Sequence, residues 1–175
     1  PKTLDTAFDV IGDIVLSAAS QQYGGFTVPS VDEILEPYAE KSHKKLIEKY
    51  RGLGLDEETV QKVAWADLEK EMEQGFQGWE YKFNSVSSSR GDYPFITVTA
   101  GTRTRIYGKL ATIKMLEVRK NGQGKDGHKK PVLFPKIVFL YDENLHGPGK
   151  PLEDVFEAGI ECSRKTMYPD WLSLT

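Results

Sequence analysis

The hydrophobic period of this chain changes once, close to residue 90, and that change limits the folds open to it. Before it, apolar residues recur at three- and four-residue spacing; after it, short apolar runs alternate with helical stretches. Leu4, Phe8, Ile11, Ile14, Val15, Ala18 and Ala19, interleaved with Asp5, Asp9, Asp13 and Ser17, predict a helix over 3–22 that ends at Gly24-Gly25. Ser30 with Glu33 reads as a capping box opening a second helix through Leu35, Tyr38, Leu46 and Tyr50 to Gly52, bent at Pro37. A third starts with Asp56 as its N-cap and runs through Val60, Ala64, Leu68 and Met72 toward Gly75.

After the polar turn 87–91, Tyr93, Phe95, Ile96, Val98 and Thr99 favour a strand, and a helix over 106–120 follows. A loop rich in glycine and lysine, 121–130, leads into the apolar run 132–141, typical of a strand buried on both faces, and a last helix passes through Val155, Phe156, Ile160 and Met167. Strand, helix, strand, helix in that order predicts an α/β layer, with the helices of residues 1–85 as an appendage to the strands and helices of 86–175. The 175 residues amount to one domain or a slice of a larger one, and no apolar stretch nears the roughly 20 residues a membrane helix needs. Pro1 with no basic-then-apolar leader points to a segment cut from something longer and not to secretion. Cys162, the one cysteine, cannot form an internal disulfide, which fits a cytoplasmic location, and His43, His128 and His146 lack metal-ligand spacing.

Charge is segregated along the chain. Residues 101–136 carry 10 Lys+Arg against 2 acidic residues, while 1–100 carry 10 against 17 and 137–175 carry 3 against 7. The middle stretch is either a solvated face with a basic loop or an attractor of polyanions. No Phe, Trp or Tyr is interleaved with the basic loop 119–130, which argues against single-stranded nucleic acid as a partner. Gly101-Thr102-Arg103-Thr104-Arg105 sits where a strand ends and a helix begins. It is either a polar turn or a phosphate cradle made of backbone N–H groups, a helix N-terminus and arginine charge. Gly108-Lys109 and Gly124-Lys125 lack the flanking residues of a Walker-type loop, and Arg90-Gly91-Asp92 reads as a turn before a strand. Cys162 reads as a buried helical cysteine without catalytic duty.

Several stretches, in order, resemble the anaerobic (class III) ribonucleoside-triphosphate reductases, a family of glycyl radical enzymes. They are Pro1-Lys2, the helix end Ala18 to Gly25, Val31 to Tyr38, Tyr81, Asn84, Gly91 to Thr97, Leu133 to Phe139 and Glu161 to Asp170. The resemblance implies a ten-stranded α/β barrel, of which this chain is part of the first half, with the helices 3–22 and 30–51 as an N-terminal dimerisation region. It also implies a ribonucleoside triphosphate substrate, a deoxynucleoside triphosphate or ATP effector at the dimer interface, and activation by a radical-SAM enzyme. By matching position, Lys2, Asp13 and Lys45 are implied as effector-site neighbours, and Gly101, Thr102, Arg103 and Thr104 as substrate-phosphate candidates. Arg103 stands where the family commonly has a glycine, so it either strains the turn or adds a phosphate contact. No catalytic residue, metal ligand or bound cofactor is implied within this chain. The radical cysteine, the glycyl radical and a structural zinc of the full enzyme are expected outside it, and the segment alone is expected to be inactive. The alternative is a dimerising deoxynucleotide-binding module from a split or decayed gene.

Overall fold

The computed structural model describes residues 1–85 and 94–175. In chain order the elements are α1 (Leu4–Gln21), β1 (Phe26–Val28), α2 (Val31–Gly52), α3 (Glu57–Ser85), β2 (Ile96–Ala100), α4 (Ile106–Asn121), β3 (Lys136–Tyr141), α5 (Glu153–Thr166) and β4 (Asp170–Ser173). This is a mixed α/β arrangement. The strands form one parallel sheet in the order β1-β2-β3-β4, with Phe26 opposite Ile96, Thr97 opposite Lys136 and Val138 opposite Asp170. Each strand lies beside the next in sequence, and helices make every crossover. The turn 87–91, Arg90-Gly91-Asp92 and the start of the expected strand at Tyr93 lie outside the described residues.

Alternation along the strands decides which face is covered. Ile96, Val98, Ala100, Ile137 and Phe139 are buried in one core with residues of all five helices, including Leu4, Leu35, Leu68, Met115 and Val155. The intervening Thr97, Thr99, Val138 and Leu140 point to the opposite face and are only half-buried. The run 132–141 is therefore buried on one face here, not both. β1 and β4 went unpredicted because each is too short to show a period. β1 has three residues between Gly25 and Pro29, and every residue of β4 is exposed at the sheet edge.

α3 continues ten residues beyond its expected end near Gly75. That glycine is a contact, not a terminus: a Cβ there would sit 2.2 Å from the ring of Phe8, so α1 and α3 approach closely over it. Phe8 then meets Phe76 and Trp79 edge-on at 5.0 and 4.9 Å, and Trp79 donates its indole N–H to the Phe8 carbonyl at 2.7 Å. Asp56 caps α3 as expected, accepting the Thr59 N–H at 3.0 Å. Ser30 does not form the expected capping box. It takes a left-handed conformation (φ 48°), its side chain caps nothing, and its N–H donates to Thr99 Oγ1 at 2.8 Å, tying the start of α2 to β2. Pro37 lies inside an uninterrupted α2, and among the described residues no helix is long and apolar enough to cross a membrane.

A buried ion pair joins the helical half to the strands. Arg119 Nε donates to Glu80 Oε1 at 2.8 Å and Nη2 donates to the Pro135 carbonyl at 2.5 Å, while Gln123 Nε2 donates to the other Glu80 oxygen at 2.9 Å. One turn along α3, Asn84 donates to the Phe134 carbonyl at 2.6 Å and accepts the Phe134 N–H at 3.1 Å, holding the chain that enters β3.

Replacing Gly75 by Ala forces the Phe8 ring or α1 to move, and we expect a loss of about 1–3 kcal/mol in stability. Chemical denaturation checks this, and an unchanged midpoint would show that α1 slides freely on α3.

Candidate functional site

The C-terminal end of β2 carries the most constrained backbone among the candidate residues. Gly101 has φ +129°, and a Cβ on it would lie 3.1 Å from the Leu140 carbonyl oxygen, so glycine is required both by conformation and by the approach of β3. Both of its peptide groups are held. Its N–H donates to Asp32 Oδ2 at 2.9 Å, and its carbonyl accepts from His146 Nε2 at 2.7 Å. Because the Gly101 carbonyl can only accept, His146 Nε2 carries a proton, while Nδ1 lies 3.0 Å from both the N–H and the carbonyl oxygen of Asp142. His146 is buried between the rings of Phe139 and Tyr141.

Asp32 comes from the first turn of α2 and is fully buried. Besides Gly101 it accepts from Thr112 Oγ1 of α4 at 3.2 Å and from the Glu33 N–H at 3.0 Å. Loss of hydration pushes its carboxyl above the ordinary 3.8, against the pull of these hydrogen bonds from Gly101, Glu33 and Thr112. Further along α2, Glu36 is nearly buried and takes both arginines of the loop. Arg103 Nε and Nη2 each reach it at 3.2 Å, and Arg105 Nη1 reaches it at 2.8 Å. Arg103 also approaches Glu33 at 3.7 Å, and Arg105 approaches Glu40 at 3.3 Å. Gly108 makes room for this pairing, since a Cβ there would meet Arg103 Cβ at 2.5 Å and Glu36 Oε2 at 2.8 Å.

These contacts redistribute the expected roles. The Gly101 N–H is spent on Asp32 and is not a donor for phosphate. Arg103 shares its charge with two carboxylates, and its backbone is unstrained, since among the described non-glycine residues only Ser30 and Met167 have positive φ. What the loop still offers is the N-terminus of α4, which no side chain caps, with Thr102 and Thr104 before it.

Lys2, Asp13 and Lys45 are all exposed. The Leu4 N–H donates to Ser42 Oγ at 2.9 Å, which brings the Lys2 end of α1 beside α2 within a turn of Lys45. Asp13 lies about 13 Å further along α1 by helix rise and pairs at 2.6 Å with Lys82 of α3. Val10 and Ile14, 40% and 60% exposed, form an uncovered apolar strip on α1. Cys162 is fully buried, its thiol pushed up by desolvation, and among the described residues no group of His, Cys, Asp and Glu is placed to hold a metal.

Asp32, Glu36 and His146 were not singled out from the sequence. A carboxylate in a first helical turn looks like a partner for the helix dipole, and a lone histidine in a loop has no period to betray it. The basic stretch is also explained. Arg103, Arg105, Lys109, Lys114, Arg119, Lys129 and Lys136 each pair with a carboxylate, mostly from the acidic flanks.

The geometry defines an α/β chain with a rigid turn and an uncapped helix N-terminus at the end of a parallel strand. Its relatives place it more narrowly. The family model described as anaerobic ribonucleoside-triphosphate reductase matches residues 1–175, and the chain belongs to that family. It is 37% identical over 174 residues to the anaerobic ribonucleoside-triphosphate reductase of Haemophilus influenzae, covering 99% of this chain and 24% of that protein. It is 34% identical over 175 residues to the enzyme of Enterobacteria phage T4, covering 99% of this chain and 28% of the phage protein. The enzyme of Escherichia coli K12 is 33% identical over 177 residues, again covering 99% of this chain and 24% of the relative. The chain thus spans about a quarter of the length of the curated relatives it matches.

The folded chain holds the Asp32 proton to higher pH than the unfolded chain does. Its contribution to stability is therefore greatest below 3.8 and falls as pH rises through the raised folded value. Burial shifts Glu71 in the same direction, so the variant Asp32→Asn isolates the effect. We expect this variant to lose that part of the slope. At neutral pH it also turns an amide donor toward Gly101 or Glu33, at a cost of about 1–3 kcal/mol. Urea unfolding across pH checks both, and an unaltered slope would show that Asp32 titrates as an ordinary carboxylate.

Proposed function

We propose that this chain forms part of the wall and the effector-facing surface of an enzyme that reduces ribonucleoside triphosphates to deoxyribonucleoside triphosphates by glycyl and thiyl radical chemistry. The family match across residues 1–175 carries this reading. The sheet supports it: parallel strands in sequential order, covered by helices on one face, leave Thr97, Thr99, Val138 and Leu140 facing a second, half-buried surface. Such a sheet with unpaired edges suits the first half of a ten-stranded barrel that another half closes. In that setting the α4 N-terminus, with Thr102 and Thr104, faces the substrate phosphates. Asp32 and His146 fix the Gly101 turn, and Glu36 holds Arg103 and Arg105 beside it. The glycyl radical, the radical cysteine and a structural zinc belong to other parts of the polypeptide, and a radical-SAM activase installs the radical.

The strip Val10 and Ile14 on α1 supports a homodimer packed through α1 and α2, with Lys2 and Lys45 at one end contributing positive charge to a deoxynucleoside triphosphate or ATP. Asp13 is committed to Lys82 and is a less direct neighbour. A cytoplasmic enzyme acting on nucleotides, not on nucleic acid, fits this assignment.

In the full-length polypeptide we expect Ile14→Glu to weaken the dimer by about 2–3 kcal/mol per protomer, roughly a thousandfold or more in dissociation constant, as read by sedimentation. Lys45→Ala should weaken deoxynucleotide binding about tenfold. A dimer indifferent to Ile14→Glu would exclude α1 from the interface. A full-length chain that dimerises and binds deoxynucleotide yet reduces nothing after activation would make it a non-catalytic module.

A further inference from the structure

Positive charge without a carboxylate partner gathers at the end of the sheet opposite the Gly101 turn. The connection 122–131 enters β3 and the end of α5 enters β4, so both lie at the N-terminal edge of the parallel strands, whereas Gly101 follows the C-terminal end of β2. Between the ends of α4 and α5 this connection borders a cleft of about 580 Å³, within the range of small-molecule sites.

The connection is firmly shaped. Gln123 N–H donates to the Lys130 carbonyl at 2.9 Å and Lys130 N–H donates back at 2.8 Å. Gly122 has φ +72°, and a Cβ on it would lie 2.6 Å from the Lys130 carbonyl oxygen. The Gln123 side chain is anchored on Glu80, the same carboxylate that holds Arg119.

Arg119 forms part of the cleft wall with its side chain 1% exposed. Its Nε and Nη2 are bonded as described above, but Nη1 is buried without a hydrogen-bond partner among the described residues. Lys120, Lys129, Lys130 and Lys165 also line the cleft, and Asp126, 3.6 Å from Lys129, is the carboxylate among the lining residues. Lys120, Lys130 and Lys165 have no ion pair among the described residues; of the other cations in the 101–136 stretch, all but Lys125 are paired. The carbonyl ends of α4 and α5 bring partial negative charge, which Lys120 and Lys165 offset. Lys130 and the unused Arg119 donor remain in excess.

We propose that this cleft binds a phosphate-chain anion, either inorganic polyphosphate or the triphosphate of a nucleotide, with Arg119 Nη1 as the buried donor and Lys120, Lys130 and Lys165 around it. A lysine ammonium serves phosphate as a point charge, and the arginine N–H supplies the directed hydrogen bond.

The test uses the full-length polypeptide. Lysine acetylation by an active ester is followed residue by residue by mass spectrometry, with tripolyphosphate, ATP, inorganic phosphate or sodium chloride of equal ionic strength. Tripolyphosphate should slow acetylation of Lys130 and Lys165 about tenfold and leave exposed Lys62 of α3 unchanged. In calorimetry the variant Lys130→Ala/Lys165→Ala, altered at two exposed positions, should lose at least about tenfold in affinity for tripolyphosphate at this site. ATP protecting no better than tripolyphosphate assigns the site to the phosphate chain alone, and ATP protecting at lower concentration assigns it to a nucleotide; both support the proposal. Equal protection by sodium chloride, or a double variant that binds as the parent does, overturns it.

Discussion

A single buried ion pair sets how the two halves of this chain meet. Glu80 and Arg119 have side chains 4% and 1% exposed, so each loses most of its hydration on folding. Such a pair holds only when the remaining lone pairs and protons are also met. Here the Pro135 carbonyl, the Gln123 amide and the face of the Tyr168 ring, 5.2 Å from the guanidinium, supply most of that. These contacts draw in α3, α4 and the approaches to β3 and β4. β3 could not keep its register if α3 turned or slid, because Asn84 on the same helix grips residues 133 and 134.

The segregation of charge along the sequence is the other half of that account. A basic middle stretch between acidic flanks would be a liability if each segment stayed solvated with its own kind. Folding instead lays α4 against α2, α3 and α5, so Glu36, Glu80 and Asp154 receive Arg103, Arg119 and Lys109. The exposed pairs contribute little each, and their value is in orientation: this placement of α4 and the turn before it satisfies acidic residues on three helices at once. The basic stretch is therefore mostly an internal connector, and its unpaired remainder, Lys120, Lys125 and Lys130, is confined to the last turn of α4 and the loop after it.

What could be read from the residues follows from how far each signal reaches along the chain. The helices showed themselves through apolar stripes of many turns, and β2 and β3 through apolar, β-prone composition, so the α/β order was legible. β1 and β4 were not, since three or four residues carry no period and their pairing depends on β2 and β3 already being in place. Gly75 and Ser30 misled for one reason: each has a local meaning, helix stop or cap, that a distant partner overrides, Phe8 in one case and Thr99 in the other. The Gly101 loop was legible as a place but not as a mechanism. Its keepers, Asp32 and His146, lie 69 and 45 residues away and belong to no shared motif.

That separation also bears on how the loop works. A glycine turn whose N–H and carbonyl were both free could cradle an anion by rearranging around it. Here both are committed to buried side chains, so the turn is rigid before any ligand arrives, and ordering it adds no entropic cost to binding. The directional groups left over are the first N–H groups of α4, whose aim is fixed by the same turn. Arg103 and Arg105, already engaged by Glu36, contribute a field more than a contact: a neutralised pair can re-partner toward a phosphate only by giving up a nearly buried carboxylate. Under the proposed substrate-phosphate role, recognition at this end of the sheet would rest on preorganised backbone, and Arg103 is accommodated in the turn because its charge is answered from α2.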